Sequence, residues 1–164
     1  MSQIDSITTR PLLPADEAFS CQVYASTRTD EMKLVDWSSE QKEAFLQMQF
    51  DAQTKHYRIH YPEAEYQIIQ REEIPIGRLI VERSSKSLLI MDIALLPEYR
   101  NTGTGTAILR DLMEEARGVG VPVVLRVEFF NPVIRLYTRL GFVKTREVNS
   151  VYQEMIWTPG ENHP

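Results

Sequence analysis

The chain has 164 residues, 43% of them hydrophobic and 25% charged, the proportions of a folded globular protein rather than a disordered or collagenous one. That length fits one domain and lets roughly 70% of the unfolded surface be buried. Eighteen basic residues against 23 acidic ones leave a net charge of −5 with no basic run, which argues against nucleic-acid binding and mildly favours a cationic partner. No apolar run approaches the ~18 residues of a membrane span. The longest, residues 88–96, is cut by Asp92. The opening Met-Ser-Gln-Ile-Asp lacks a basic region and a hydrophobic core, so no signal peptide is expected. Cys21 stands alone and cannot form an internal disulfide, and a structural zinc site would want more Cys or His. The expectation is a soluble, cytoplasmic protein without membrane contact. Residues 1–157 are read as one domain and 158–164 as a flexible tail.

Residues 6–9 alternate weakly as a first strand, stopped by Pro11 and Pro14, and Asp16 is placed to cap a helix running to about Ala25. From Ser39, the spacing of Phe45, Met48 and Ala52 predicts a second amphipathic helix that ends near Tyr57 to Tyr61, before Pro62. Residues 65–71 and 76–83 read as strands separated by a turn at Glu72-Glu73-Ile74-Pro75. Ser84-Ser85-Lys86 turns the chain into the apolar strand 88–96, completing an antiparallel meander. Ile108, Leu109, Leu112, Met113 and Ala116 then mark one face of a helix that should stop at Gly118 and Gly120. Residues 121–127 form a buried strand, and the crossover should make it parallel to its predecessor. Pro132 suits the first turn of a helix capped by Asn131 and closed by Gly141. Asn149-Ser150 joins a final hairpin of residues 142–148 and 151–157. The sum is a mixed α/β sheet with helices on both faces.

The segment from Leu95 to Thr106 carries the most chemistry. Gly103 and Gly105 at the mouth of a helix let the backbone approach a ligand, and the helix dipole favours an anion there. Thr102, Thr104 and Thr106 add hydroxyl donors and Arg100 a permanent charge. A phosphate cradle fits, and so does an ordinary strand-to-helix turn. A dinucleotide fingerprint is excluded because Ile108 stands where it needs Gly or Ala, and no Gly-Lys-Ser/Thr tripeptide supports a phosphate-binding loop of that type.

Arg100-x-x-Gly103-x-Gly105, after a strand ending Leu95-Leu96-Pro97-Glu98, resembles the acetyl-CoA signature of the GNAT superfamily of N-acetyltransferases. The run from Asn131-Pro132 through Leu136-Tyr137 to Gly141-Phe142 resembles its second hallmark, a helix ending Leu-Tyr-x-x-x-Gly-Phe. Both stand in the right order, and the detailed likeness covers residues 88–157. The resemblance implies a mixed, mostly antiparallel central sheet of about six to seven strands, splayed in the middle, with helices on both faces. It implies acetyl-CoA as co-substrate and no metal. It further implies that Ala94, Leu95 and Leu96 line a slot beside the strand 121–127, where free backbone groups at Leu95 pair with the pantetheine arm. Backbone N–H groups of Arg100, Asn101, Thr102, Gly103, Thr104, Gly105 and Thr106 would hold the pyrophosphate. Asn131 would bond the pantetheine and Tyr137 would protonate the leaving thiolate. In many members the asparagine lies one residue farther from the tyrosine than Asn131 does from Tyr137, so either the helix starts tighter or Phe130 holds the equivalent place.

The implied reaction is direct attack by a primary amine, of a small molecule or a peptide, on the thioester. A non-catalytic CoA-binding regulatory module and transfer of a longer acyl group are the alternatives, and a homodimer is common in the superfamily. Tyr137 also suits a core position, since it lies on the apolar stripe of its helix. The position where some histone-modifying members carry a glutamate base corresponds to Leu89 here, which leaves Asp92, Glu128 or water as proton acceptor. Asp92 also reads as a hydrogen-bonded core carboxylate and Glu128 as a solvated strand end. His56 and His60 have the spacing of two metal ligands but read better as a helix-end pair. Trp37, Tyr57, His60, Tyr61 and Tyr66 are candidates for an acceptor pocket. Asp30, Glu31 and Asp36 suit either a cationic substrate or a solvated loop. Cys21 reads as a small core filler.

Overall fold

A computed structural model describes residues 6–160; residues 161–164 of the expected tail lie outside the described residues. The chain forms two compact units. One comprises the residues up to Ile80 with Asp92–Thr102, the other Val81–Met91 with Gly103 onwards.

In the first unit, β1 (Ile7–Pro11) pairs antiparallel with β2 (Glu65–Arg71), from Ile7↔Arg71 to Pro11↔Gln67. Pro11 does not stop the strand, because β1 is an edge strand and a residue there can do without its donor. A single 3-10 turn, Pro14–Asp16, leads into α1 (Glu17–Ser26). Asp16 does not cap α1 with its side chain. Its carboxylate turns back to accept from the Leu13 N–H at 2.8 Å and to pair with Arg10. A short helix that the periodicity does not announce, α2 (Thr29–Lys33), precedes α3 (Ser39–His60). Helix α3 begins with a reciprocal cap: Ser38 Oγ accepts from the Gln41 N–H, and Gln41 Oε1 accepts from the Ser38 N–H. β2 turns into β3 (Ile74–Arg83) through Glu72 and Glu73 alone, at φ 48° and 70°. The expected four-residue turn is therefore two residues, and Pro75 lies in the strand. Two left-handed residues match the twist of a hairpin, which overrides the lack of Gly or Asn. β4 (Leu88–Leu95) follows, and Val23 of α1 packs on Ala94 and Leu96 beside Phe19 and Tyr99.

In the second unit, α4 (Thr104–Val119) buries Ile108, Leu109, Leu112, Met113 and Ala116, the face that its pattern marks. Each fully buried Leu or Ile contributes ~1.5–3 kcal/mol. Gly118 lies inside the helix, and only Gly120, at φ 85°, ends it. β4 pairs parallel with β5 (Val123–Glu128) at Leu88↔Val123, Leu89↔Val124 and Ile90↔Leu125, as the crossover requires. α5 (Ile134–Leu140) is only seven residues long and starts later than the sequence suggests. Asn131 and Pro132 form a turn ahead of it, in which Asn131 Oδ1 accepts from the Val133 N–H at 3.0 Å. Gly141 closes α5 at φ 107°, with Gly141 N–H on Thr138 O and Phe142 N–H on Tyr137 O. β6 (Val143–Glu147) and β7 (Tyr152–Trp157) make the last hairpin, with the Asn149 side chain accepting from Val151 and Tyr152 N–H groups. β7 pairs antiparallel with β5 from Val123↔Trp157 to Glu128↔Tyr152.

The seven strands are hydrogen-bonded in the order β1-β2-β3-β4-β5-β7-β6, a mostly antiparallel mixed sheet with one parallel β4–β5 pair. Among the described residues, no helix is long and apolar enough to cross a membrane.

Candidate active site

The C-terminal end of β4 is held by its neighbour β3 through a close backbone approach. A Cβ on Gly77 would stand 2.2 Å from the Ala94 carbonyl oxygen, so only glycine lets β3 pass there. Leu96 N–H donates to Ile76 O at 2.8 Å, while Ala94 and Leu96 are buried and Leu95 is half-buried. The chain then makes a 3-10 turn over Pro97–Tyr99.

Residues 100–102 differ from the expected cradle. Arg100 N–H donates to Pro97 O at 3.2 Å, which removes it from the donors available to an anion. The Arg100 guanidinium turns back instead of outward. Its Nε donates to Leu95 O at 3.0 Å, and its Nη2 to Ser26 O and Oγ at 3.3 and 3.2 Å. Asn101 adopts the left-handed region at φ 60°, and Thr102 Oγ1 donates to Tyr99 O at 2.8 Å.

At the start of the second unit, Gly103 takes φ 85° as the residue ahead of α4, and the first helical bond is Ala107 N–H to Gly103 O. The amides of the first turn precede that ladder and point out along the axis. Nothing lies within 4 Å of where a Cβ would stand on Gly103 or Gly105, their chain neighbours and helix backbone aside. Thr104 is buried at 3% exposure, whereas Gly105 and Thr106 are half-buried. Of the residues expected at the cradle, the Arg100 amide and the Arg100 and Thr102 side chains bond within the preceding turn, and Gly103 to Thr106 open α4.

Tyr137 is buried at 7% exposure, with its ring 5.8 Å from that of Phe142. Asn131 is exposed and spends its oxygen on Val133 N–H, and Phe130 is 98% exposed. Glu128 is half-buried at the end of β5. Asp92 is committed elsewhere: its Oδ2 accepts from Arg78 Nε at 2.6 Å.

Arg78 escaped the sequence reading. It is 3% exposed on β3, donates through Nη1 to Ser20 Oγ at 3.3 Å and through Nη2 to Gln53 Oε1 at 2.8 Å, and lies over the rings of Tyr24 and Phe50. A signal existed: one arginine inside Ile74-Pro75-Ile76-Gly77-Arg78-Leu79-Ile80-Val81, and one aspartate inside the next apolar strand. A buried charge needs a buried partner, and these two are the candidates.

The remaining candidates separate into local contacts. The His56 and His60 rings lie 4.4 Å apart on α3, and among the described residues no group of three His, Cys, Asp or Glu could hold a metal ion. Trp37 meets Phe45, Tyr57 meets Tyr61 edge-on, and Arg58 lies over Tyr66. Burial, with Asp51 and Glu17 nearby, pushes the Cys21 thiol up, and its Sγ donates to Gln47 Oε1. That thiol is poorly suited to act as a nucleophile.

Residues 31–142 match the acetyltransferase (GNAT) family model. The chain belongs to the GNAT acetyltransferases. The fold agrees with this N-acetyltransferase membership. The PaiA N-acetyltransferase of Thermoplasma acidophilum, solved with coenzyme A, is 17% identical with a TM-score of 0.70, over 93% of this chain and 99% of that one. A Corynebacterium glutamicum structure described as histone acetyltransferase HPA2 and related acetyltransferase is 18% identical, TM-score 0.69, over 97% and 99%. An acetyltransferase of Thermus thermophilus is 14% identical, TM-score 0.66, over 93% and 97%. None of the curated proteins matches this GNAT sequence.

Proposed function

We propose that this GNAT enzyme transfers the acetyl group of acetyl-CoA to a primary amine of a small molecule or peptide in the cytoplasm, by direct attack of the amine on the thioester. The observation that carries the reading is the open mouth of α4, where Gly103 and Gly105 leave space above a first turn of outward-pointing amides. When bound, acetyl-CoA supplies an activated acetyl thioester. In this reading the backbone from Gly103 to Thr106 holds the diphosphate. The Leu95 carbonyl, which accepts from Arg100 Nε and has two lone pairs, aligns a pantetheine amide.

Tyr137 is assigned the proton donated to the departing thiolate, since its phenol carries an O–H that can donate to the sulfur. Direct attack is favoured because the Cys21 thiol is pushed up and bonded to Gln47, which suits a structural role better than a covalent one. Asp92 is committed to Arg78, so the reading leaves Glu128 or water to take the proton of the attacking amine. The net charge of −5 favours a cationic acceptor.

Titration calorimetry with acetyl-CoA, CoA and NAD tests the donor side. Saturable binding of both CoA species with NAD inert is expected. A panel of amines then tests turnover in the wild type and in Tyr137→Phe, whose kcat should fall about a hundredfold with acetyl-CoA affinity nearly unchanged. Full activity in the Phe variant would remove Tyr137 from the chemistry. Binding without turnover across the panel would make the protein a CoA-binding regulatory module. Preference for a longer acyl thioester would change the group transferred.

A further inference from the structure

We propose that Arg100 is a positioning residue for the donor's pantetheine arm rather than a ligand of its phosphates. The proposal rests on the acetyl-CoA reading above. The guanidinium is a planar fork, and Nε and Nη2 lie on one edge of it. That edge spans Leu95 O at the end of β4 and Ser26 O and Oγ at the end of α1, with distances of 3.0, 3.3 and 3.2 Å. Ser26 is the last residue of α1, where carbonyls lack helical partners and a cation is favoured by the helix dipole.

The clamp is built on both sides. Ser26 Oγ also donates to Val23 O at 2.7 Å, and Thr29 Oγ1 donates to Ser26 O at 3.2 Å, so the acceptor end is itself held in place. On the other side, Val23 packs on Ala94 and Leu96, which flank Leu95. Arg100 N–H is meanwhile bonded to Pro97 O, so the backbone that carries the side chain is fixed as well. Aiming this edge at a diphosphate would break three hydrogen bonds. It would also release the Leu95 carbonyl, the group that the reading pairs with pantetheine. The same residue therefore serves the donor through Leu95.

A donor without phosphates separates the two roles. S-acetylpantetheine keeps the thioester and the amide arm but lacks the diphosphate and the nucleotide. Initial rates with acetyl-CoA and with S-acetylpantetheine are measured for the wild type, Arg100→Ala, Arg100→Lys and Ser26→Ala. A positioning role predicts that Arg100→Ala raises KM for both donors by a similar factor, about tenfold, while kcat changes little. Arg100→Lys should not rescue, because a point charge cannot span both acceptors. Ser26→Ala should raise both KM values by a smaller factor.

A rise confined to acetyl-CoA, or rescue by lysine, would overturn the proposal in favour of a phosphate contact. A fall in kcat with both KM values unchanged would also overturn it, since that is the signature of a smaller folded fraction. If Arg100→Ala does not fold, Ser26→Ala decides by the same pair of KM values. A wild-type protein that turns over neither donor overturns the acetyl-CoA reading itself before any variant is made.

Discussion

The mouth of α4 and the surroundings of Arg78 each fix a part of the molecule, by opposite means. At the mouth of α4 the structure consists of backbone: Gly103 at φ 85°, a first helical bond from Ala107, and open space where side chains would stand. Around Arg78 it consists of side chains from three other elements, with Asp92 from β4, Ser20 and Tyr24 from α1, and Gln53 and Phe50 from α3. The first arrangement tolerates little change in backbone conformation but asks nothing of distant residues. The second depends on every partner arriving together, because a buried guanidinium left unpaired is costly.

Removing the hub's charge should have the largest effect. Arg78→Met leaves Asp92, Ser20 and Gln53 without their donor and should cost about 3–5 kcal/mol in urea denaturation. Adding Asp92→Leu to that variant should recover part of the loss. A single variant as stable as the wild type would show that the hub is not a stabilising unit.

Gly77→Ala tests whether backbone can be as demanding as a buried charge. Its Cβ would stand 2.2 Å from Ala94 O, so β3 or β4 must shift, at a cost of about 1–3 kcal/mol. Thermal unfolding reads that cost, and calorimetry should show weaker CoA binding, since Leu95 moves with Ala94. Gly105→Ala should instead separate stability from binding. With φ outside the left-handed region and no neighbour within 4 Å, alanine should gain up to ~1 kcal/mol of helix stability while placing a methyl group in the proposed anion site. Higher melting temperature with lower CoA affinity is the expected pair, and unchanged affinity would move the anion away from Gly105.

The smallest effect is a side-chain contact at the surface. Arg10 holds Asp16 in two hydrogen bonds of 2.7 and 2.9 Å, and that bonding, with the Leu13 N–H, lowers the Asp16 carboxyl to about 2. Because the folded state lowers this pKa, the stabilisation is present above pH ~4 and is lost as pH falls toward 2. Asp16→Asn should cost about 1 kcal/mol or less at neutral pH, after solvent screening, and nothing once both forms are protonated. Chemical denaturation from pH 7 to pH 2 would show the two curves converge, whereas parallel curves would remove Asp16 from the acid response.

The sequence alone determined what depends on near neighbours. The apolar stripe from Ile108 to Ala116, the helix-closing glycines at 120 and 141, and the order of strand, helix and strand that makes β4 and β5 parallel were all legible, because period and turn chemistry are local properties. The Arg-x-x-Gly-x-Gly and Leu-Tyr-x-x-x-Gly-Phe runs were legible for the same reason. Tertiary structure decided where side chains spend their bonds. It turned the Arg100 guanidinium onto Ser26, 74 positions away, although its charge had read as one for a phosphate. It also kept Pro11 in an edge strand, imposed left-handed geometry on Glu72 and Glu73, and gave Arg78 a partner 14 positions away in Asp92. A donor near a carbonyl bonds to it whatever its spacing suggests, and which carbonyl is near is settled only when the chain has folded.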